Sequence, residues 1–124
     1  MVYSLGTRSL QNLSGVHPDL IKVVKRAIEI TEQDFTVLEG IRSTERQRQL
    51  YKSGASKTMN SRHITGHAVD LAPWPISWDW ARFYPIADAM KQAAEDVGVE
   101  IEWGGDWKSF KDGPHFELPR SDYK

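Results

Sequence analysis

The chain has no cysteine in its 124 residues, which excludes a disulfide scaffold, thiolate zinc sites, iron–sulfur clusters and a cysteine nucleophile. Any metal must be held by histidine and carboxylate. An excess of one charge is also missing: 16 Lys and Arg face 17 Asp and Glu, so no nucleic-acid footprint or acidic tail stands out and no nucleic acid is expected as partner. No stretch approaches the ~18 consecutive apolar residues of a membrane span. The opening residues, MVYSLGTRSLQNLSGVHPDL, lack the basic segment and apolar run of a secretory leader. A soluble cytoplasmic product without membrane insertion is expected, and a target outside the cell would need something else to let it through. At this length a single domain over residues 1–124 can bury one core without a disulfide or structural metal.

What is present reads as alternating helices and strands. Leu20, Val23, Val24, Ala27 and Ile28 follow the i, i+3, i+4, i+7, i+8 spacing of an amphipathic helix, with Pro18 suited to its first turn and His17 a capping or surface residue just before it. Residues 35–41 are rich in β-branched and apolar side chains, a strand that delivers Arg42 and Ser43 at its end. Ser43 or Thr44 can cap a mostly polar helix that must be anchored by Leu50 and Tyr51 and stops at Gly54. The small polar residues 53–62 form a loop. Residues 67–72 are a short apolar strand interrupted by Asp70. A helix over 81–97 turns Ile86, Met90, Ala93, Ala94 and Val97 inward, with Pro85 tolerable only near its first turn, and Gly98 ends it. Residues 99–103 and 115–118 complete the strands, with Gly104, Gly105 and Asp106 as a turn. The pattern predicts an α+β domain: a central, mostly antiparallel sheet with three helices packed around it.

Within this frame the segment SRHITGHAVDLAP, residues 61–73, concentrates chemistry. A lone carboxylate in an apolar strand costs several kcal/mol unless it is paired, hydrogen-bonded or metal-bound. Asp70 therefore needs a partner, whether a salt bridge, a cap on a neighbouring loop, or a ligand set. His63 lies seven residues upstream across Gly66, which lets the chain bend so that the imidazole can return to the strand. His67 has the opposite parity to Asp70 and is not part of a His-Glu-x-x-His helix. Further on, Asp112 and His115 are presented together by a Gly-Pro turn. Two histidines and one carboxylate, with a fourth position left to water, suit catalytic zinc, and such a site also needs a second carboxylate to move protons. Asp112 fits that need; Asp106 is a more distant rival.

These blocks resemble the zinc peptidases of the D-Ala-D-Ala carboxypeptidase group (peptidase family M15), most closely the phage endolysins that are L-alanyl-D-glutamate peptidases. The signature Ser-x-His-x-x-Gly-x-Ala-x-Asp is met at Ser61, His63, Gly66, Ala68 and Asp70. An acidic residue three before the last histidine is met at Asp112 and His115. A block from Gly40 through Arg42 and Gln49 to Leu50, Tyr51 and Gly54 also resembles the family, and the likeness spans about residues 15–118.

The resemblance implies a D-Ala-D-Ala carboxypeptidase or Hedgehog-like fold and one catalytic Zn2+ held by His63, Asp70 and His115. It also implies Asp112 as catalytic base, Arg42 as a catalytic and substrate-binding group at the developing oxyanion, and Ser61 as an orienting, substrate-side residue. Arg42 can equally form a salt bridge to a nearby carboxylate. Carboxypeptidase members commonly carry Glu where this chain has Asp112, which favours the endolysin branch.

The implied function is hydrolysis of the L-Ala-D-Glu bond of peptidoglycan stem peptides for host-cell lysis. The enzyme would be a monomer with no separate cell-wall-binding domain, held in the host cytoplasm until a holin releases it to the wall. A D,D-carboxypeptidase or dipeptidase, a D,D-endopeptidase and an inactive wall-binding module are the alternatives. Core packing is expected for most of the five tryptophans, Trp74, Trp78, Trp80, Trp103 and Trp107, though Trp103 or Trp107 could line the substrate groove. Arg42, Arg46, Arg48, Lys52 and Lys57 could help dock an anionic wall or form a solvated helix face.

Overall fold

The computed structural model describes residues 2–56, 58–59, 61–108 and 111–123. The elements run α1 Thr7–Asn12, α2 Pro18–Ile30, β1 Phe35–Glu39, α3 Thr44–Lys52, β2 Ala68–Pro73, α4 Trp80–Val97, β3 Glu102–Trp103 and β4 His115–Glu117, with a 3-10 turn at Gly104–Asp106. The four strands form one sheet in the order β1-β2-β4-β3, every neighbouring pair antiparallel. The α+β architecture is the expected one.

Side-chain alternation gives the sheet two unlike faces. Val37 pairs with Leu71, and Val69, Phe116 and Trp103 lie in one cross-strand row; all are buried in the core. Trp103 stacks on Phe116 with ring centroids 6.3 Å apart. α2 and α4 pack together over this face. α2 presents Leu20, Val23, Val24, Ala27 and Ile28 as its spacing predicts. Pro18 is its first residue, and His17 caps it by accepting from the Asp19 N–H. α4 starts at its cap Asp79 and ends at Gly98, whose φ of 73° is the left-handed conformation that glycine tolerates. Pro85 lies within this helix, beyond its first turn, and Val97 is 36% exposed instead of turning inward. The opposite sheet face carries Asp70 beside His115, and Ala68, Glu117 and Glu102 in the adjoining row.

The structure adds α1 to the three helices expected. It has no apolar period and buries only Ser9, so hydrophobic spacing could not reveal it. Polar bonds hold it against β1, the edge strand: Ser9 Oγ accepts from the Val37 N–H and lies 3.0 Å from Thr36 Oγ1, and Asn12 Nδ2 donates to the Val37 carbonyl. The edge is thereby covered.

α3 is also anchored differently. Tyr51 is exposed and Leu50 only half-buried, whereas Gln47 is fully buried. Its Nε2 donates to Ser56 Oγ at 2.8 Å and to the Thr58 carbonyl at 2.5 Å, while its Oε1 accepts from Arg42. A buried amide with all these partners replaces an apolar anchor. Residues 99–103 contribute only the two-residue β3, and Ser43 supplies the α3 cap by accepting from the Arg46 N–H.

Gly40 follows β1 where α1 meets it. A methyl group there would collide with the Asn12 carbonyl oxygen and lie 2.7 Å from Val16 Cγ2. Overpacking at such a point costs roughly 1–3 kcal/mol. Gly40→Ala is therefore expected to lower stability by about that amount in urea unfolding, with the slope unchanged.

Candidate metal centre and active site

His63 reaches the sheet because the 61–67 segment closes on itself. Gly66 adopts φ 77°, where a side chain would be strained, and a Cβ there would also press on the Gly15 carbonyl oxygen at 2.7 Å. The Gly66 carbonyl accepts from the His17 N–H, and the His63 carbonyl from the Arg42 N–H, so the turn is tied to both flanking segments. Ser61 Oγ accepts from the His63 N–H at 3.2 Å. The imidazole is almost fully buried, with Nδ1 2.8 Å from the Gly40 carbonyl oxygen. A carbonyl only accepts, so Nδ1 bears the proton and Nε2 presents a lone pair.

That lone pair points toward Asp70 Oδ1 at 3.2 Å, and His115 Nδ1 approaches the same oxygen at 3.5 Å. One ligand atom from each of His63, Asp70 and His115 can be chosen so that all lie within 4.8 Å of one another. His63 Nε2 and Asp70 Oδ1 are buried without a hydrogen-bond partner. Two orphaned buried acceptors side by side are costly unless a cation joins them. The donor set, two imidazoles and a carboxylate, fits a borderline divalent metal.

The charges interlock. Burial alone would raise the Asp70 pKa, but the close His115 and His63 imidazoles outweigh it and hold the carboxylate well below its usual range. His115 is desolvated too, yet Asp70 and Glu117 push it up to about 9 when no metal is present. Asp112 is shifted upward, mainly by burial and then by the Asp70 charge. It lines the same cleft, of about 740 Å³. The turn that holds it is compact: its N–H donates to the Gly104 carbonyl, its own carbonyl accepts from the His115 N–H, and any side chain on Gly104 would strike that carbonyl.

Arg42 is 9% exposed and held as a fork. Nε and Nη2 donate to the two Glu39 oxygens at 2.6 and 3.1 Å, and Nη1 donates to Gln47 Oε1 at 2.6 Å and lies 3.5 Å from Ser61 Oγ. Nη2 also faces Asp70 Oδ2 at 3.7 Å. The salt bridge and the place beside the cleft therefore coexist in one side chain. Glu39 and Gln47, which aim it, were not singled out in the sequence; the available signal was Glu39 three residues before Arg42 at the end of its strand.

Trp103 does not line the groove. It lies in the same cross-strand row as Phe116, on the core face, and its indole N–H donates to the Gly113 carbonyl. The neighbouring residue Glu102 has the opposite parity and lines the cleft, as does Trp107, whose ring centroid is 5.1 Å from that of His115. Core packing also fails for Trp74, Trp78 and Trp80, which are 53%, 63% and 43% exposed. His67 lies apart from the ligand set, its Nδ1 2.6 Å from Thr65 Oγ1 and its ring near His17 and Tyr123. Asp106 pairs with Lys91 at the surface. Arg46, Arg48 and Lys52 are exposed on α3, with Arg48 paired to Glu45; Lys57 lies outside the described residues.

The chain as a whole is similar to known proteins. The L-alanyl-D-glutamate peptidase of Escherichia phage T5 is 35% identical over 130 aligned residues, covering 99% of this chain and 94% of that protein. The solved L-Ala D-Glu endopeptidase ChiX of Serratia marcescens superposes with a TM-score of 0.90 at 48% identity, covering 94% of this chain and 90% of that one. The vancomycin-resistance D,D-dipeptidase VanXYg, at 19% identity and a TM-score of 0.54 over 83% of this chain and 50% of its own, shares the fold. With residues 1–119 matched by the model of the phage L-alanyl-D-glutamate peptidases, the chain belongs to that family.

Proposed function

We propose that this chain is a zinc-dependent endopeptidase that cleaves the L-Ala-D-Glu bond of bacterial peptidoglycan stem peptides. The convergence of His63 Nε2, Asp70 and His115 Nδ1 beside Asp112 is the observation that carries the reading. Peptidases named for this bond match almost the whole chain and support the choice of substrate.

His63, Asp70 and His115 are the ligands. Zinc bound there supplies a Lewis acid that polarises a carbonyl and makes water acidic near neutral pH. Asp112 is the base: its carboxylate takes the proton of the attacking water and returns it to the leaving amine. Arg42 faces Asp70 through Nη2 and, lining the cleft, places its positive charge where the carbonyl oxygen would gain negative charge. Ser61 fixes the His63 backbone and borders the substrate. Trp107 forms an aromatic wall beside His115.

The proposed biological setting is host-cell lysis. No helix among the described residues is long and apolar enough to cross a membrane. The enzyme works as a monomeric peptidase unit, waits in the host cytoplasm and reaches the wall when a separate holin opens the membrane, so that cleavage lyses the cell.

Digestion of purified muropeptides followed by mass spectrometry is expected to yield fragments with a new D-Glu amino terminus, and a zinc chelator should abolish them. Release of free D-Ala instead would replace this reading with a D,D-peptidase. Wall binding without chelator-sensitive cleavage would replace it with a binding module.

The ligand and base roles separate by substitution. His115→Ala should lose metal and activity together. Asp112→Asn should retain zinc by metal analysis while turnover falls by about 10²- to 10⁴-fold.

pH acts in opposite directions on the metal-free and metal-bound forms. In the metal-free protein the raised His115 pKa contributes stability that is complete below pH ~6.5 and is lost as pH rises through about 9. Its Tm should fall across that window. Zinc affinity, measured by chelator competition, should rise over the same range, because a protonated imidazole cannot be a ligand.

A further inference from the structure

We propose that Glu117 is a positioning residue for the metal centre, turning His115 so that Nδ1 faces the ion, with Arg62 as its buried counter-charge. The inference rests on the metal reading of the site. His115 and Glu117 are two residues apart on β4 and so project from the same face. Glu117 Oε1 lies 2.7 Å from His115 Nε2, and the glutamate is only 8% exposed. A carboxylate can only accept there, so it keeps the proton on Nε2, and once the ring is neutral, as a metal ligand must be, the lone pair is left on Nδ1, toward Asp70 Oδ1.

The other Glu117 oxygen, Oε2, is 4.0 Å from Arg62 Nε, a buried nitrogen without a hydrogen-bond partner. Arg62 is itself 6% exposed, and its Nη2 donates to the Leu118 carbonyl at 3.0 Å and the Tyr123 carbonyl at 2.6 Å. The guanidinium is thus fixed by the segment that follows β4. Arg62 directly precedes His63, so the pair joins the two histidine-bearing segments behind the ligands. His63 has a neutral carbonyl, that of Gly40, in the equivalent orienting place. Only His115 has a charged partner, which strengthens it as a donor.

The test is zinc affinity of the purified full chain by chelator competition, together with long-range proton–nitrogen NMR spectra of the imidazoles. Glu117→Ala is expected to bind zinc roughly 10- to 100-fold more weakly and, in the zinc-bound protein where His115 is neutral, to lose its Nε2–H tautomer preference. Glu117→Gln keeps an acceptor of the same shape and should recover much of the affinity, to within roughly tenfold of wild type. It also serves if the alanine variant fails to fold. Wild-type affinity in both variants, or zinc-bound His115 with the ion on Nε2, would overturn the positioning role while leaving the metal site in place. A wild-type chain that bound no zinc would overturn the metal reading, and this inference with it.

Discussion

The pairing of Asp70 with His115 across β2 and β4 is the constraint on which the rest of the site depends. Antiparallel partners project from the same face, so this register places a carboxylate and an imidazole side by side on the face opposite the core. A one-residue slip of β2 would send Asp70 into the layer now occupied by Val69 and Leu71, and would lift those two residues out of it and away from Phe116. The hydrophobic packing of α2 and α4 on the core face therefore also secures the register of the polar face. Core and chemistry are two sides of the same strand alternation.

Everything around that pair reduces freedom. Gly66 lets His63 turn back, and Gly40 both allows α1 to pack closely and offers the carbonyl that orients the imidazole. Glu39 and Gln47 hold the Arg42 fork, and Glu117 holds His115. Burying so many polar groups would be costly if each were alone. Here nearly every one has a partner, and the orphaned His63 Nε2 and Asp70 Oδ1 face each other where the donor atoms converge. A rigid cluster with its unsatisfied atoms facing one another is suited to receive a cation without reorganisation.

The legible parts of the chain share one property: their signals are local. α2 showed itself through five apolar residues on one face, and the chemistry of SRHITGHAVDLAP through a carboxylate misplaced in an apolar run and a glycine that permits a reversal. α1 was illegible because hydrogen bonds to β1, not apolar spacing, stabilise it. The anchor of α3 was misread for the same reason, since a glutamine counts as polar until its burial partners are known. Trp103 shows the limit of proximity along the chain. It flanks the turn beside the site, yet strand parity points it into the core and gives the cleft to Glu102 and Trp107.

By itself the sequence determined the α+β class and the cysteine-free ligand chemistry, because residue type and short-range spacing suffice for these, and it singled out His63, Asp70, Asp112 and His115 as candidates whose roles the family resemblance implies. Tertiary structure alone decided which imidazole nitrogen faces Asp70, which carboxylates orient Arg42 and His115, and which aromatic borders the cleft. Those are matters of direction and distance between segments up to fifty or more residues apart, and they exist only once cross-strand register and side-chain parity have brought the segments together.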